Sequence, residues 1–110
     1  MGVTLSMNHR GGAMTPNKIR PIHPGEVLSE ELDSRGLTRA EFAHALHVPP
    51  RRVSAILNGQ RPITADTALR LARFFDSSAE MWMAMQHAYE IRVAEIRVGE
   101  EIKRTVSLAK

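Results

Sequence analysis

At 110 residues the chain has room for one domain with a modest core, and with no cysteine it can build neither a disulfide framework nor a thiolate metal site. No apolar run approaches the length of a membrane span and the N-terminus lacks the apolar stretch of a signal peptide, so a soluble, cytoplasmic protein without a membrane partner is expected. Aromatics are sparse at 5%, while a net charge of +3 and a pI near 10.0 suit a polyanionic partner.

Residues 1–20 contain Gly11-Gly12, several polar residues and no period, which predicts a flexible N-terminal tail in which Met7 or Met14 could be the natural start. Pro21 extends the backbone into His23-Pro24-Gly25-Glu26. Here Pro24 suits the first position of a helix and Glu26 complements the dipole in its first turn. Val27, Leu28 and Leu32 give the buried stripe, and Arg35-Gly36 marks the end, so a helix is predicted over about Pro24 to Arg35. His23 beside Glu26 and Glu30 could be read as catalytic, but a capping histidine explains the pattern without further assumption.

Thr38 and Glu41 form a capping box, in which the Thr38 hydroxyl accepts from the Glu41 amide and the Glu41 carboxylate reaches back to the Thr38 amide. Phe42, Ala43 and Leu46 then share one face until Val48-Pro49 ends the period. A further helix can start at Pro50 and run through Val53, Ile56 and Leu57 to Asn58, with Gly59 past its end. Two short helices joined by a few residues make a helix-turn-helix, whose second helix enters the DNA major groove. An αα-hairpin in an ordinary bundle is the competing reading. Against it, Pro49 to Arg61 contains no acid, and from Thr38 to Arg61 four arginines face a single glutamate. The basic excess of the chain sits on this segment.

Thr64 caps a fourth helix, Ala65 to Phe75, with Ala68, Leu69, Ala72 and Phe75 as its expected apolar stripe. Asp76-Ser77-Ser78 breaks the chain and caps a fifth helix from Ala79, with Met81, Trp82, Met85 and Tyr89 on one stripe. This helix is expected to run through Ile91, Val93 and Ile96 and to stop before Gly99. Its apolar residues beyond Tyr89 exceed what so small a core can cover and are candidates for a subunit interface. The domain division is thus a tail over 1–20, a DNA-binding and dimerisation domain over 21–97, and a C-terminal extension over 98–110 that could be a short helix, an edge strand or a tail.

An enzyme is disfavoured. The chain has no His-Glu-x-x-His, no phosphate loop and no cysteine nucleophile, and its five histidines show no partner constellation. His44 and His47 lie three apart, but two ligands without a third do not make a metal site. No cofactor and no metal are expected.

The runs His23-Pro24-Gly25-Glu26, Val48 to Ser54, Asn58-Gly59, Ile63 to Arg73 and Met81-Trp82 resemble the HigA-type antitoxins of the Cro/repressor-like (XRE) helix-turn-helix family. The similarity covers about Ile19 to Arg92. It implies an all-α fold, a five-helix Cro/repressor-like DNA-binding domain that forms a homodimer on palindromic, double-stranded operator DNA in its own promoter. It also implies a second partner, a HigB/RelE-like toxin that cleaves mRNA and is neutralised by the antitoxin. The family motif places Pro50, Arg51, Ser54 and Ala55 at base-reading positions, with Arg51 foremost because a guanidinium donates twice to guanine. Thr38, Arg39, Arg52, Asn58 and Arg61 map to phosphate-binding positions, although Arg52 could serve either role. The turn position usually held by glycine is His47, which implies a left-handed histidine costing on the order of 1 kcal/mol. A stand-alone helix-turn-helix transcriptional repressor without a toxin partner is the alternative.

Overall fold

A computed structural model describes residues 20–110; the predicted tail therefore lies, Arg20 apart, outside the described residues. Five helices and no strand occur among them: α1 (Pro24–Arg35), α2 (Arg39–Leu46), α3 (Pro50–Leu57), α4 (Ala65–Phe75) and α5 (Ala79–Thr105). The fold is the expected all-α one. No helix among the described residues is long and apolar enough to cross a membrane.

Local chemistry sets the helix boundaries. His23 caps α1, its Nδ1 accepting from the Gly25 amide at 2.9 Å, with Pro24 at the first helical position. The capping box on α2 is complete, with the Glu41 amide 3.0 Å from Thr38 Oγ1 and the Thr38 amide 2.9 Å from Glu41 Oε1. Thr64 and Ser78 cap α4 and α5 through their hydroxyls alone, which accept from the Thr67 and Met81 amides. Gly36, His47 and Asp76 end α1, α2 and α4 in the left-handed region, at φ of 67°, 59° and 54°.

The helices close on a core of Leu28, Leu32, Phe42, Leu46, Val53, Ile56, Leu57, Ile63, Leu71 and Trp82. Aromatic rings extend it. Phe42 packs against Phe74 and Phe75 with centroids 5.4 and 5.9 Å apart, Phe75 meets Trp82 at 5.7 Å, and the Arg35 guanidinium lies 4.9 Å from the centre of the Phe75 ring. Trp82 Nε1 donates to Ser77 Oγ at 3.0 Å. Gln86, buried on α5, accepts from the Ile63 amide at 2.8 Å and donates to Glu90, so the loop before α4 is tied to α5 by a satisfied polar group.

Two apolar stripes differ from expectation. On α4 it is Leu71, fully buried, that joins Ala68 in the core, whereas Leu69 is 64% exposed because it lies about 100° away around the helix. On α5, Trp82 and Gln86 are buried one turn apart, and Met81 faces outward.

The end of α5 also differs. The helix does not stop before Gly99 but continues to Thr105, so residues 98–105 belong to it rather than to a separate extension. A glycine inside a helix costs only about 1 kcal/mol. Glu100 and Glu101 pair with Lys103 and Arg104, basic residues occupy the last turn, and Thr105 Oγ1 donates to the Glu101 carbonyl. At 27 residues, α5 is about 40 Å long at 1.5 Å per residue. Its first half packs on α4 and α1. Its second half projects, and residues 100–110 are exposed.

Candidate nucleic-acid interface

α3 buries Val53, Ile56 and Leu57 against the core, leaving Pro50 and Arg51 exposed and Ser54 and Ala55 half-buried on its other side. Its N-terminus is unlike those of the other helices. Pro49 makes no side-chain cap and the first turn holds no acid, whereas α1, α2, α4 and α5 each have a capping side chain and Glu26, Glu41, Asp66 or Glu80 in the first turn. Arg51 and Arg52 stand instead at the positive end of the helix dipole, and Pro49, Arg51, Arg52 and Arg61 surround one recess there.

At the opposite end of α3, Arg39 from the start of α2 donates to Asn58 Oδ1 at 3.2 Å. Thr38, beside it, has its hydroxyl oxygen engaged by the Glu41 amide. Eight of the nine candidate residues thus fall into an outward row on α3, a cationic recess at its start and a polar pair at its end, and the ninth, Thr38, caps α2. Arg52 differs from the other candidate arginines, because its Nη1 lies 3.2 Å from Asp66 Oδ1 on α4 and its side chain is only 26% exposed.

α2 is joined to α3 through His47, whose φ of 59° and ψ of 46° lie in the left-handed region, as expected for a residue standing where glycine is usual. The His47 amide donates to the His44 carbonyl and the Val48 amide to the Ala43 carbonyl, both at 3.1 Å, which satisfies the end of α2. The rings of His44 and His47 lie parallel with centroids 6.2 Å apart. Among the described residues no group of three or more ligating side chains could hold a metal ion.

The family HTH_3, described as helix-turn-helix, matches residues 28–82. The chain belongs to this helix-turn-helix family. It is 51% identical to virulence-associated protein I of Dichelobacter nodosus over 80 residues, covering 72% of this chain and 74% of the relative. Among solved structures it is similar to an addiction module antidote protein of the HigA family from Coxiella burnetii, with a TM-score of 0.81 and 48% identity over 83% of this chain and 100% of that one. It is likewise similar to the Pseudomonas aeruginosa antitoxin HigA solved with the higBA promoter, with a TM-score of 0.80 and 40% identity over 83% and 100% of the two chains. The fold is the Cro/repressor-like one of these antitoxins, and the chain is not an enzyme.

Two residues of α4 that are not among the nine candidate site residues hold the helix-turn-helix together. Arg70 on α4 donates through Nη1 to the carbonyls of Leu46 and His47, at 3.0 and 3.3 Å, and through Nε to Asp66 Oδ1 at 2.7 Å. Arg70 first, then Arg52, hold the Asp66 carboxyl below the usual carboxylate range, and Asp66 raises Arg70. The spacing of Asp66 and Arg70 on one helix face was legible in the sequence; the contact with the turn was not. His23 is a cap and not a catalytic group. Its ring meets Tyr89 edge-on at 4.9 Å, and burial pushes its imidazole down against the opposing effect of a hydrogen bond that the ring donates to the Arg61 backbone carbonyl. Arg20 forms a two-point pair with Glu26, at 2.7 and 2.9 Å, which raises Arg20 and lowers Glu26.

Proposed function

We propose that this protein is the antitoxin of a type II toxin-antitoxin pair, binding its own operator as a dimeric autorepressor and neutralising a HigB/RelE-like toxin in the cytoplasm. The likeness to an antitoxin solved with promoter DNA, at 40% identity over the whole of that chain, carries the reading. The acid-free, uncapped start of α3 supports it, since a phosphate supplies the anion that the helix lacks. In this reading Pro50, Arg51, Ser54 and Ala55 meet base edges, while Thr38, Arg39, Arg52, Asn58 and Arg61 grip the backbone.

The dimer is supported by the outer face of α5. Met81, Ala84, Ala88, Ile91, Glu95, Val98, Ile102 and Thr105 recur at alternating steps of three and four, all exposed, on the side away from Trp82 and Gln86. That is the spacing of a coiled-coil seam, and Glu95 is its one charged position. Residues 21–97 form the DNA-binding and dimerisation unit, with the seam continuing into the last turns of α5. Two recognition helices then meet major grooves about 34 Å apart on a palindrome.

Co-purification with the product of the adjacent gene, followed by titration onto the shared promoter, tests both halves. A stable complex that binds an inverted repeat supports the antitoxin reading. Promoter binding with no partner leaves a stand-alone repressor, and no preference for the promoter over random duplex overturns the DNA-binding role.

A further inference from the structure

We infer that Asp66 is a positioning residue for the DNA interface, fixing the Arg52 guanidinium at the side of α3 while anchoring the arginine that clamps the α2–α3 turn. A single carboxylate oxygen, Oδ1, accepts from Arg52 Nη1 at 3.2 Å and from Arg70 Nε at 2.7 Å. Arg70 in turn donates to the carbonyls of Leu46 and His47, at the end of α2 and the start of the turn that leads into α3. One side chain in the first turn of α4 thereby links the direction of the recognition helix to the placement of a cation on it.

Arg52 needs such a partner. It shares its recess with Arg51 and Arg61, and like charges there would push an untethered guanidinium outward into many rotamers. Held by Asp66, it is ordered before DNA arrives, so the rotamer freedom lost on contact is smaller. The carboxylate does little for the fold itself. Asp66 is 60% exposed, and exposed ion pairs contribute little to stability.

This inference rests on the DNA-binding reading and opposes simple charge counting. Removing a negative charge close to a polyanion should strengthen binding to every duplex. If Asp66 positions Arg52 for a contact made only in the fixed register of the operator complex, Asp66→Asn instead lowers operator affinity roughly three- to tenfold, the range that ordering one long side chain covers, while random-duplex affinity is unchanged or rises. The ratio of the two affinities is the readout, with Arg52→Gln and the double variant completing a cycle. Arg52→Gln should cost less in the Asp66→Asn background than alone. Guanidinium relaxation of free protein provides a second readout, restricted for Arg52 in the wild type and mobile in Asp66→Asn.

Failure of the wild type to prefer operator would reject the DNA-binding reading. Wild-type preference that Asp66→Asn retains in full, with additive effects and unchanged Arg52 mobility, would reject the positioning role alone.

Discussion

Gly25 lets α1 approach the backbone of the recognition helix closely, and Gly25→Ala tests whether that approach sets the fold. A Cβ at this position would sit 2.1 Å from the Ile56 carbonyl oxygen and 3.0 Å from its carbon. An unstrained carbon-to-oxygen contact is about 3.3 Å, so the two backbones must separate by roughly 1.2 Å. The Ile56 oxygen cannot simply yield, because it accepts from the Gly59 amide at 3.0 Å where α3 ends. Moving α1 instead opens space around Leu28 and Leu32, both buried. Overpacking followed by a partial void costs about 2–4 kcal/mol, against a total near 5–13 kcal/mol for a domain of this size. The melting temperature should fall by roughly 10–25 °C.

Gly36→Ala is the control. Gly36 has φ of +67° and nothing within 4 Å of an added Cβ, so only backbone strain of about 1 kcal/mol applies. Urea and thermal unfolding of both variants measure the difference. A Gly25→Ala loss no greater than that of Gly36→Ala would show that the helices separate at negligible cost and would refute the reasoning.

Arg51→Ala should weaken operator binding by about 1–3 kcal/mol and blur preference at one base pair, whereas Arg39→Ala should weaken operator and random duplex alike and lower the salt slope by about one. Equal losses on both duplexes for both variants would reverse the assignment. Burial holds the folded His23 imidazole below its ordinary value, so below pH about 6.5 the unfolded chain binds a proton that the folded chain does not. Stability should therefore decline as pH falls through the 6.5 region and be flat above it. His23→Asn, a non-titrating cap, should reduce this slope between pH 7.5 and 5.5; a wild-type-minus-variant difference independent of pH would exclude His23 as the source. Ile102→Glu, on an exposed turn of α5 remote from the core, should raise the dimer Kd at least about tenfold by sedimentation without lowering the melting temperature of the monomer. An unchanged Kd would remove Ile102 from the interface.

What could be read in the sequence was local. Thr38 with Glu41, Pro24, Pro50, Gly36 and Ser78 mark helix ends because capping and proline geometry act over three or four residues. His47 was legible as a left-handed residue only through the family resemblance, which places it where glycine is usual. The stripes failed where apolar residues adjoin: Leu69 and Leu71 are equally apolar, and only packing shows that Leu71 faces inward. Gly25 could be seen as part of a motif, but its cause, the Ile56 carbonyl on a helix later in the chain, could not. Gln86 reaches Ile63 across 23 positions and Arg70 reaches Leu46 across 24, separations at which no local spacing carries a signal.

The site divides along the same line. That α3 lacks acids is a fact of the sequence, and it is what singled out the candidate interface. That Arg52 is nonetheless neutralised comes from Asp66, fourteen residues away on α4. The contrast bears on why α3 is built as it is. A capping side chain is worth about 1 kcal/mol and an acid in the first turn about 0.3–1 kcal/mol, and four of the five helices have both. α3 has neither, and it carries two arginines where the dipole repels them. Selection for stability alone would not leave that end bare, since Ser or Asp at position 49 would improve it. On the proposed function the missing anion is supplied from two directions: permanently for Arg52, by the Asp66 carboxylate, and for Arg51 and the free end of the helix by a DNA phosphate in the complex. The free protein is therefore less stable at this one helix end than its own sequence habits elsewhere would make it, and on the proposed function DNA binding repairs the deficit.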